Sequence, residues 1–148
     1  MKYIPIAAAL LLGACNTVPN NFNHDGSITN TMALIAQTEA HAPNSVPGEF
    51  EFLIKAADEI RGHVYLNTEL DYRDRRSISI TMSPSAVRDF VAKYNQSPKT
   101  ALVNKQIRVT GEAQRVTIDF YSQGRRTDKY YFQTHIDVTE LSQLTVLN

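Results

Sequence analysis

Hydrophobic and polar positions alternate along most of the chain after residue 48, the pattern of strands with one buried face. Five runs share this alternation: 50–55, 64–70, 78–82, 107–120 and 130–138. Between the third and fourth runs the spacing of apolar residues becomes helical. Ser83 can cap this helix, and Pro84 suits its first position because the missing N–H has no partner there. The pattern predicts a mainly β domain with one short helix between its third and fourth strands.

The fourth run changes phase, because its apolar positions follow one alternation up to Ala113 and another from Val116. This change lies beside Gly111, and a phase change beside a glycine is typical of a β-bulge or a bend. We therefore expect one long strand that bends and serves two sides of a barrel.

Three short motifs accompany this order of elements. The chain reads VYLN at 64–67, NKQIRVTG at 104–111 and LSQLTV at 141–146. These resemble the OB-fold modules of bacterial secreted and envelope proteins, which often read V-x-L-N, G-K-x-V-x-V-x-G and S-Q-I-x-V at these places. Asn104 stands in place of the first glycine of the second motif, and Leu144 in place of the isoleucine of the third. The resemblance implies a five-stranded Greek-key barrel over residues 48–148.

The first 14 residues have the pattern of a secretory signal peptide, with a positive charge before a short apolar run at 4–12. That run is well short of the roughly 20 apolar residues that a membrane-spanning helix needs. Residues 12–15, LGAC, resemble the lipobox of bacterial lipoproteins. The resemblance implies cleavage before Cys15 and lipidation of Cys15. An ordinary signal peptide that is cut elsewhere, with Cys15 as an incidental thiol, is the alternative.

The residue after the cysteine indicates the membrane. Lipoproteins of two-membrane bacteria usually stay on the inner membrane when aspartate follows the lipidated cysteine, and here Asn16 follows it. The resemblance therefore implies a lipid anchor in the outer membrane, with the domain facing the periplasm. If the source has a single membrane, the anchor would lie in the cell membrane.

Residues 15–47 have the composition of a tether. Residues 16–47 contain no Lys or Arg, six Asn and three Pro, and such a segment buries too little apolar surface to order itself. A short helix at 31–41, capped by Asn30, is possible, with Met32 and Ile35 along one stripe. It would have to dock on the domain to persist. We expect a mostly flexible tether.

Charge and cysteine content exclude several functions. The chain has 15 basic and 15 acidic residues, and loss of residues 1–14 removes one basic residue, which leaves a formal charge of −1. Nucleic-acid binding is therefore not expected, because no overall basic field attracts phosphates. One cysteine excludes an internal disulfide and a multi-thiolate zinc site. The four histidines lack metal-ligand spacing, and His135 is expected on the outer face of its strand.

Two sets of residues are candidates for ligand binding. On the face of strands 2 and 3, where OB-folds usually bind, the residues out of phase with the core are Tyr65, Asn67, Ser77, Ser79 and Thr81. Tyr65 could stack on a base or a sugar, or it could pack beneath the helix. The second set lies in two loops: Tyr72, Arg75 and Arg76 between strands 2 and 3, and Arg125 and Arg126 between strands 4 and 5.

The arginine loops could bind a phosphate or an anionic sugar if both lie on one side of the barrel. Three acidic residues among these arginines would neutralise them: Asp71, Asp74 and Asp128. No catalytic motif is present, and we predict no cofactor and no metal. The sequence therefore predicts a non-enzymatic lipoprotein whose OB-fold module binds an envelope protein or a small ligand. The alternative is a binder of single-stranded nucleic acid or anionic oligosaccharide, and a third possibility is a metal-dependent envelope hydrolase.

Overall fold

The computed structural model describes residues 28–148. The predicted signal peptide, Cys15 and the first part of the predicted tether lie outside the described residues. In chain order the elements are α1 (Thr31–His41), β1 (Val46–Leu53), β2 (Ala56–Ile60), β3 (His63–Asn67), β4 (Ile78–Met82), α2 (Pro84–Tyr94), α3 (Pro98–Ala101), β5 (Gln106–Ser122), β6 (Arg125–Val138) and β7 (Leu144–Val146). A single 3-10 turn, Leu141–Gln143, precedes β7. The prediction of a mainly β class is confirmed.

The strands form one sheet in the order β1-β5-β6-β4-β3-β2, with β7 added beside β5. Neighbouring strands are antiparallel, except that β4 and β6 run parallel. Parallel neighbours cannot be joined by a hairpin. Here α2, α3 and β5 lie between them in the chain.

The sheet curls because the chain changes partner at one point. Ile54 donates its backbone N–H to the carbonyl of Lys105 at 3.0 Å and accepts the N–H of Asn104 at 2.7 Å. The next residue, Lys55, donates instead to the carbonyl of Asn67 at 2.9 Å. The first predicted run, 50–55, therefore covers the end of β1 and the two residues after it. Strand β2 was not predicted, and β1 and β2 are the two ends of the sheet order. Two residues join these ends, so the sheet wraps around its own core.

The core of this sheet is formed by the apolar positions of the predicted runs. Twelve of these side chains have no exposed surface: Phe50, Phe52, Ile54, Val64, Leu66, Ile78, Ile80, Met82, Ile107, Val109, Ile136 and Val138. Leu70, the last apolar residue of the second predicted run, is 80% exposed because β3 ends at Asn67.

Strand β5 passes from one partner to another without the predicted bulge at Gly111. Its register with β1 is regular up to the pair Val46–Ala113, and Ala113 also pairs with Ile136 of β6. The register shift lies farther on, between Asp119 and Tyr121. Gly111 packs closely, since a Cβ atom there would lie 3.1 Å from Cγ2 of Ile136 and would displace it by a few tenths of an ångström.

Helix α1 docks on the sheet. Asn30 caps it by accepting the N–H of Ala33 at 3.0 Å, and Leu34 is only 2% exposed. The hydroxyls of Thr38 and Thr134 lie 3.0 Å apart in a fully buried contact. We expected a mostly flexible tether over residues 15–47, with a possible short helix at 31–41. The structure has that helix, and the end of the expected tether is the start of β1. The helix persists because it has a face that the sheet buries.

Helix α2 begins with the cap that the sequence predicts. The Ser83 side chain accepts the N–H of Ala86 at 3.2 Å, and Asn95 ends the helix with a left-handed φ of 54°. Ala86 and Phe90 are buried, and the helix packs against β3 and β4.

Candidate functional site

The hairpin of β5 and β6 extends beyond the curled sheet. The pairing of β5 with β1 ends at Ala113, and the pairing of β6 with β4 begins at Thr134. Within the described part of the chain, the strand residues of 114–133, which we call the distal hairpin, pair only along the β5–β6 ladder. Four of its large side chains are between 43% and 66% exposed: Phe120, Tyr121, Tyr130 and Phe132.

A cleft of about 590 Å³ separates helix α1 from the base of the distal hairpin. One wall is a helical stripe of α1: Met32, Ile35, Ala36 and Glu39. The other wall comes from β5 and β6: Arg115, Tyr131, Phe132, Gln133 and Thr134. Arg75 lines the cleft from the loop between β3 and β4. The volume lies in the range of about 300–1,000 Å³ that is usual for small-molecule sites.

Arg115 is a half-buried positive charge in this cleft. Its guanidinium carbon lies 3.5 Å from the centroid of the Phe132 ring, a stacking contact. Its Nε is buried and has no hydrogen-bond partner among the described residues. No carboxylate of residues 28–148 forms an ion pair with it. A half-buried cation without a counter-ion requires an explanation, since burial without pairing is unfavourable.

The loop between β3 and β4 holds three of the predicted site residues. Tyr72 is 53% exposed, and its carbonyl accepts a hydrogen bond from the Gln133 side chain. Arg76 pairs with Asp74 at 2.7 Å. The hydrogen bond from this guanidinium, together with the Arg76 backbone N–H, lowers the pKa of Asp74 to about 2.

Arg73 of the same loop pairs with Asp71 at 3.2 Å. Two of the three loop arginines are therefore neutralised within the loop. Arg75 has no ion pair among the described residues, and it is the loop arginine that reaches the cleft.

The second arginine loop lies at the tip of the distal hairpin. Arg126 pairs with Asp119 at 2.9 Å, whereas Arg125 has no ion-pair partner within residues 28–148. Gln133, which touches Tyr72, is eight residues from Arg125 along β6, a distance of ~26 Å at about 3.3 Å per residue. The structure therefore does not bring the two arginine loops together.

The predicted residues on β3 and β4 lie away from the cleft. Tyr65 is half-buried, and its ring lies 6.5 Å from that of His63. Asn67 is 5% exposed and its Oδ1 has no hydrogen-bond partner among the described residues. Ser77 and Ser79 are also buried, and Thr81 is half-buried. None of these five residues lines the cleft.

The sequence did not identify Arg115 and Phe132 as site residues, because a strand pattern does not distinguish one arginine from the others. The sequence pattern predicted the α1 stripe at Met32 and Ile35. It did not predict that β5 and β6 form the opposite wall of the cleft. Residues 28–148 contain no cluster of three or more His, Cys, Asp or Glu side chains that could hold a metal ion. None of the helices in this range has the length and apolar character needed to cross a membrane.

Comparison with known proteins finds a weak structural similarity and no match in sequence. No protein-family model matches the chain, and no curated protein matches it. Among solved structures, the chain is similar to aspartyl tRNA synthetase from Entamoeba histolytica, with a TM-score of 0.47 and 14% sequence identity. The alignment covers 98% of this chain, which spans only 28% of that structure's length.

Proposed function

We propose that the chain is a membrane-anchored lipoprotein whose non-enzymatic OB-fold module binds a small ligand or an envelope protein in the cleft beside α1. The cleft itself is the observation that supports the proposed binding of a ligand. It combines an apolar wall with two arginines, Arg75 and Arg115, that have no ion-pair partner in the described chain. Small-molecule sites typically combine apolar walls with a few polar groups in this way.

The OB-fold assignment is supported by the order of the strands. Taken together, β1 and β2 act as one first strand that bends at residues 54–55. Helix α2 then lies between the third and fourth strands, and the parallel pair β4–β6 joins the third strand to the fifth. A five-stranded barrel with this order is an OB-fold, which binds ligands on its strands and loops.

The lipid anchor rests on the lipobox-like residues 12–15 and is tested by Cys15→Ser. The parent should be cleaved before Cys15, and mass spectrometry of its N-terminal peptide should show acyl chains. The variant should keep its signal peptide and carry no lipid. A variant that is processed and fractionates with membranes as the parent does would refute the anchor.

The binding role is tested by placing a photo-reactive residue at Met32, on the cleft wall, in cells of the source organism. The matched control places it at Arg88, an exposed residue of α2 that does not line the cleft. We expect a defined adduct from position 32 that position 88 does not give. Equal adducts from both positions, or none from position 32, would remove the cleft as the binding site.

The alternative function, binding of nucleic acid or anionic oligosaccharide through the arginine loops, is tested by titration with single-stranded DNA and with an anionic glycan. We expect no micromolar binding, because Arg73, Arg76 and Arg126 are paired with aspartates. Micromolar binding that Arg75→Ala and Arg126→Ala abolish would replace the proposal by this alternative.

A further inference from the structure

We infer that the ligand of the cleft is a small organic carboxylate with an apolar body, whose carboxylate is bound by Arg115 and Arg75. This inference rests on the proposed function, because it takes the cleft as the binding site. It adds the chemical class of the ligand and the residues that select it.

The first step is the hydrogen bonding of Arg115 in the cleft. Its contact with Phe132 covers a face of the guanidinium, but guanidinium N–H bonds lie in the plane of the group. The Nε–H has neither a described protein partner nor exposed surface, so a ligand reaches the guanidinium at its terminal N–H groups. A carboxylate is the group that best satisfies an arginine edge, through two parallel charge-assisted hydrogen bonds.

The second step is the charge balance of the cleft. Two arginines line it, and Glu39 is the acidic residue among its lining side chains, which leaves one net positive charge. Neither arginine forms an ion pair with Glu39 or with any other carboxylate of the described chain. One excess positive charge matches a monoanion, whereas a dianion such as phosphate would leave a charge uncompensated.

The third step is the apolar wall. Met32, Ile35 and Ala36 present aliphatic surface from α1, and Met32 is 54% exposed. Phe132 lies on the opposite wall and is 43% exposed. An apolar ligand body placed between these walls would bury its own apolar surface and that of both walls. This burial favours binding by about 25 cal/mol per Å² of apolar surface. Charge and apolar surface therefore favour a ligand that carries both.

The experiment measures ligand binding by isothermal titration calorimetry on the lipidated full chain in phospholipid nanodiscs, with empty nanodiscs as the blank. The probes are 4-phenylbutyrate, its neutral amide and inorganic phosphate. We expect saturable binding of 4-phenylbutyrate, at least about tenfold weaker binding of the amide, and no saturable binding of phosphate. Equal affinity for the acid and the amide, or tighter binding of phosphate, would overturn the inference.

Three variants and one control identify the residues that bind the carboxylate. Arg115→Gln should weaken 4-phenylbutyrate binding about tenfold, and Arg75→Gln about threefold to fivefold because Arg75 is more exposed. Glu39→Gln should strengthen binding, because it removes the opposing charge. Arg88→Gln, an exposed arginine of α2, should change nothing.

Thermal unfolding of the same variants separates binding from folding. Arg115→Gln should change Tm by only a few degrees, because the lost contact with Phe132 is offset by removal of an unpaired, half-buried charge. If that variant fails to fold, Arg75→Gln decides, since Arg75 lies in an exposed loop. Unchanged affinity in Arg75→Gln together with unchanged affinity in Glu39→Gln would overturn the inference.

A peptide ending in a free carboxylate, acetyl-Gly-Gly-Val-Leu, distinguishes a small ligand from a protein tail. Saturable binding of the peptide without binding of 4-phenylbutyrate would overturn the small-ligand assignment. An adduct from Met32 in cells without binding of any probe would refute the carboxylate inference and leave the proposed function standing.

Discussion

The two halves of the β5–β6 hairpin have the same alternating sequence pattern but opposite surroundings. In the proximal half, Ile107, Val109, Ile136 and Val138 have no exposed surface. In the distal hairpin, residues 114–133, four large side chains remain between 43% and 66% exposed. Alternation therefore determines where a strand forms, whereas burial of its side chains depends on which neighbouring strands it acquires.

The difference follows from the edges of the two halves. In the proximal half, β5 has β1 and β7 as neighbours, and β6 has β4. The distal hairpin has only its own two strands within the described chain, and an isolated two-stranded hairpin is marginally stable in water. Aromatic pairs compensate in part: Phe120 and Tyr131 lie 5.4 Å apart on one face, and Tyr130 and Phe132 lie 5.5 Å apart on the other.

The largest expected difference between the halves comes from removing one large side chain in each. Ile107→Ala should lower the free energy of unfolding by about 2–5 kcal/mol, because it leaves a cavity in the core. Phe120→Ala should lower it by less than about 1 kcal/mol, since this side chain is 44% exposed. Urea denaturation measures both. Equal losses would show that the distal hairpin belongs to the same packed unit.

A smaller contrast is expected between the two glycines of the hairpin. Gly111→Val should lower the free energy of unfolding by about 1–3 kcal/mol, because its Cβ would lie 3.1 Å from Ile136. Gly124→Ala at the tip has no atom within 4 Å of the new Cβ, so only its left-handed φ of 74° opposes the change, by about 1 kcal/mol.

The same denaturation series tests this contrast, with Gly111→Ala as an intermediate step. If Gly111→Val is as stable as the parent, the close packing of β5 on Ile136 is wrong.

The smallest effect is expected at His135, where the two halves meet. Burial lowers the pKa of His135, and the nearby Asp137 opposes this only in part. Its Nε2 lies 2.8 Å from Oε1 of Gln133. The unfolded chain has the ordinary histidine pKa of about 6.5 and binds the proton more readily than the folded chain. The contribution to stability is therefore complete above that pH and is lost as the pH falls from it towards the folded pKa.

The pH dependence of urea unfolding should show this loss in the parent and not in His135→Gln. A parent curve that falls no more steeply than that of the variant between about pH 7 and pH 5 would contradict the lowered pKa.

The sequence carried enough information for most of the sheet. Apolar alternation identified the strands that supply the core, and Ser83 with Pro84 identified the start of α2. The division of the first strand was not visible, because it depends on Ile54 and Lys55 finding different partners far along the chain. The surface on which α1 docks was also not predictable, since Thr38 and Thr134 are 96 residues apart in sequence.

The candidate site was predictable only in part. The aspartates that neutralise the first arginine loop are two residues from their arginines, so local sequence showed them. The separation of the two arginine loops depends on the length of the distal hairpin beyond its last neighbour, which a pattern of alternation does not reveal. Arg115 becomes distinctive only when the absence of an ion-pair partner in the described chain is known.

Helix α1 is both a wall of the cleft and the first element that the chain enters after residue 28. The backbone N–H of Thr29 donates to the carbonyl of Glu51 at 2.8 Å, and this is the first strand contact of the described chain. Mechanical tension applied at the N-terminal side would therefore load this contact and α1 before it loaded the pairing between strands. The cleft would come apart under load while the strands remained paired.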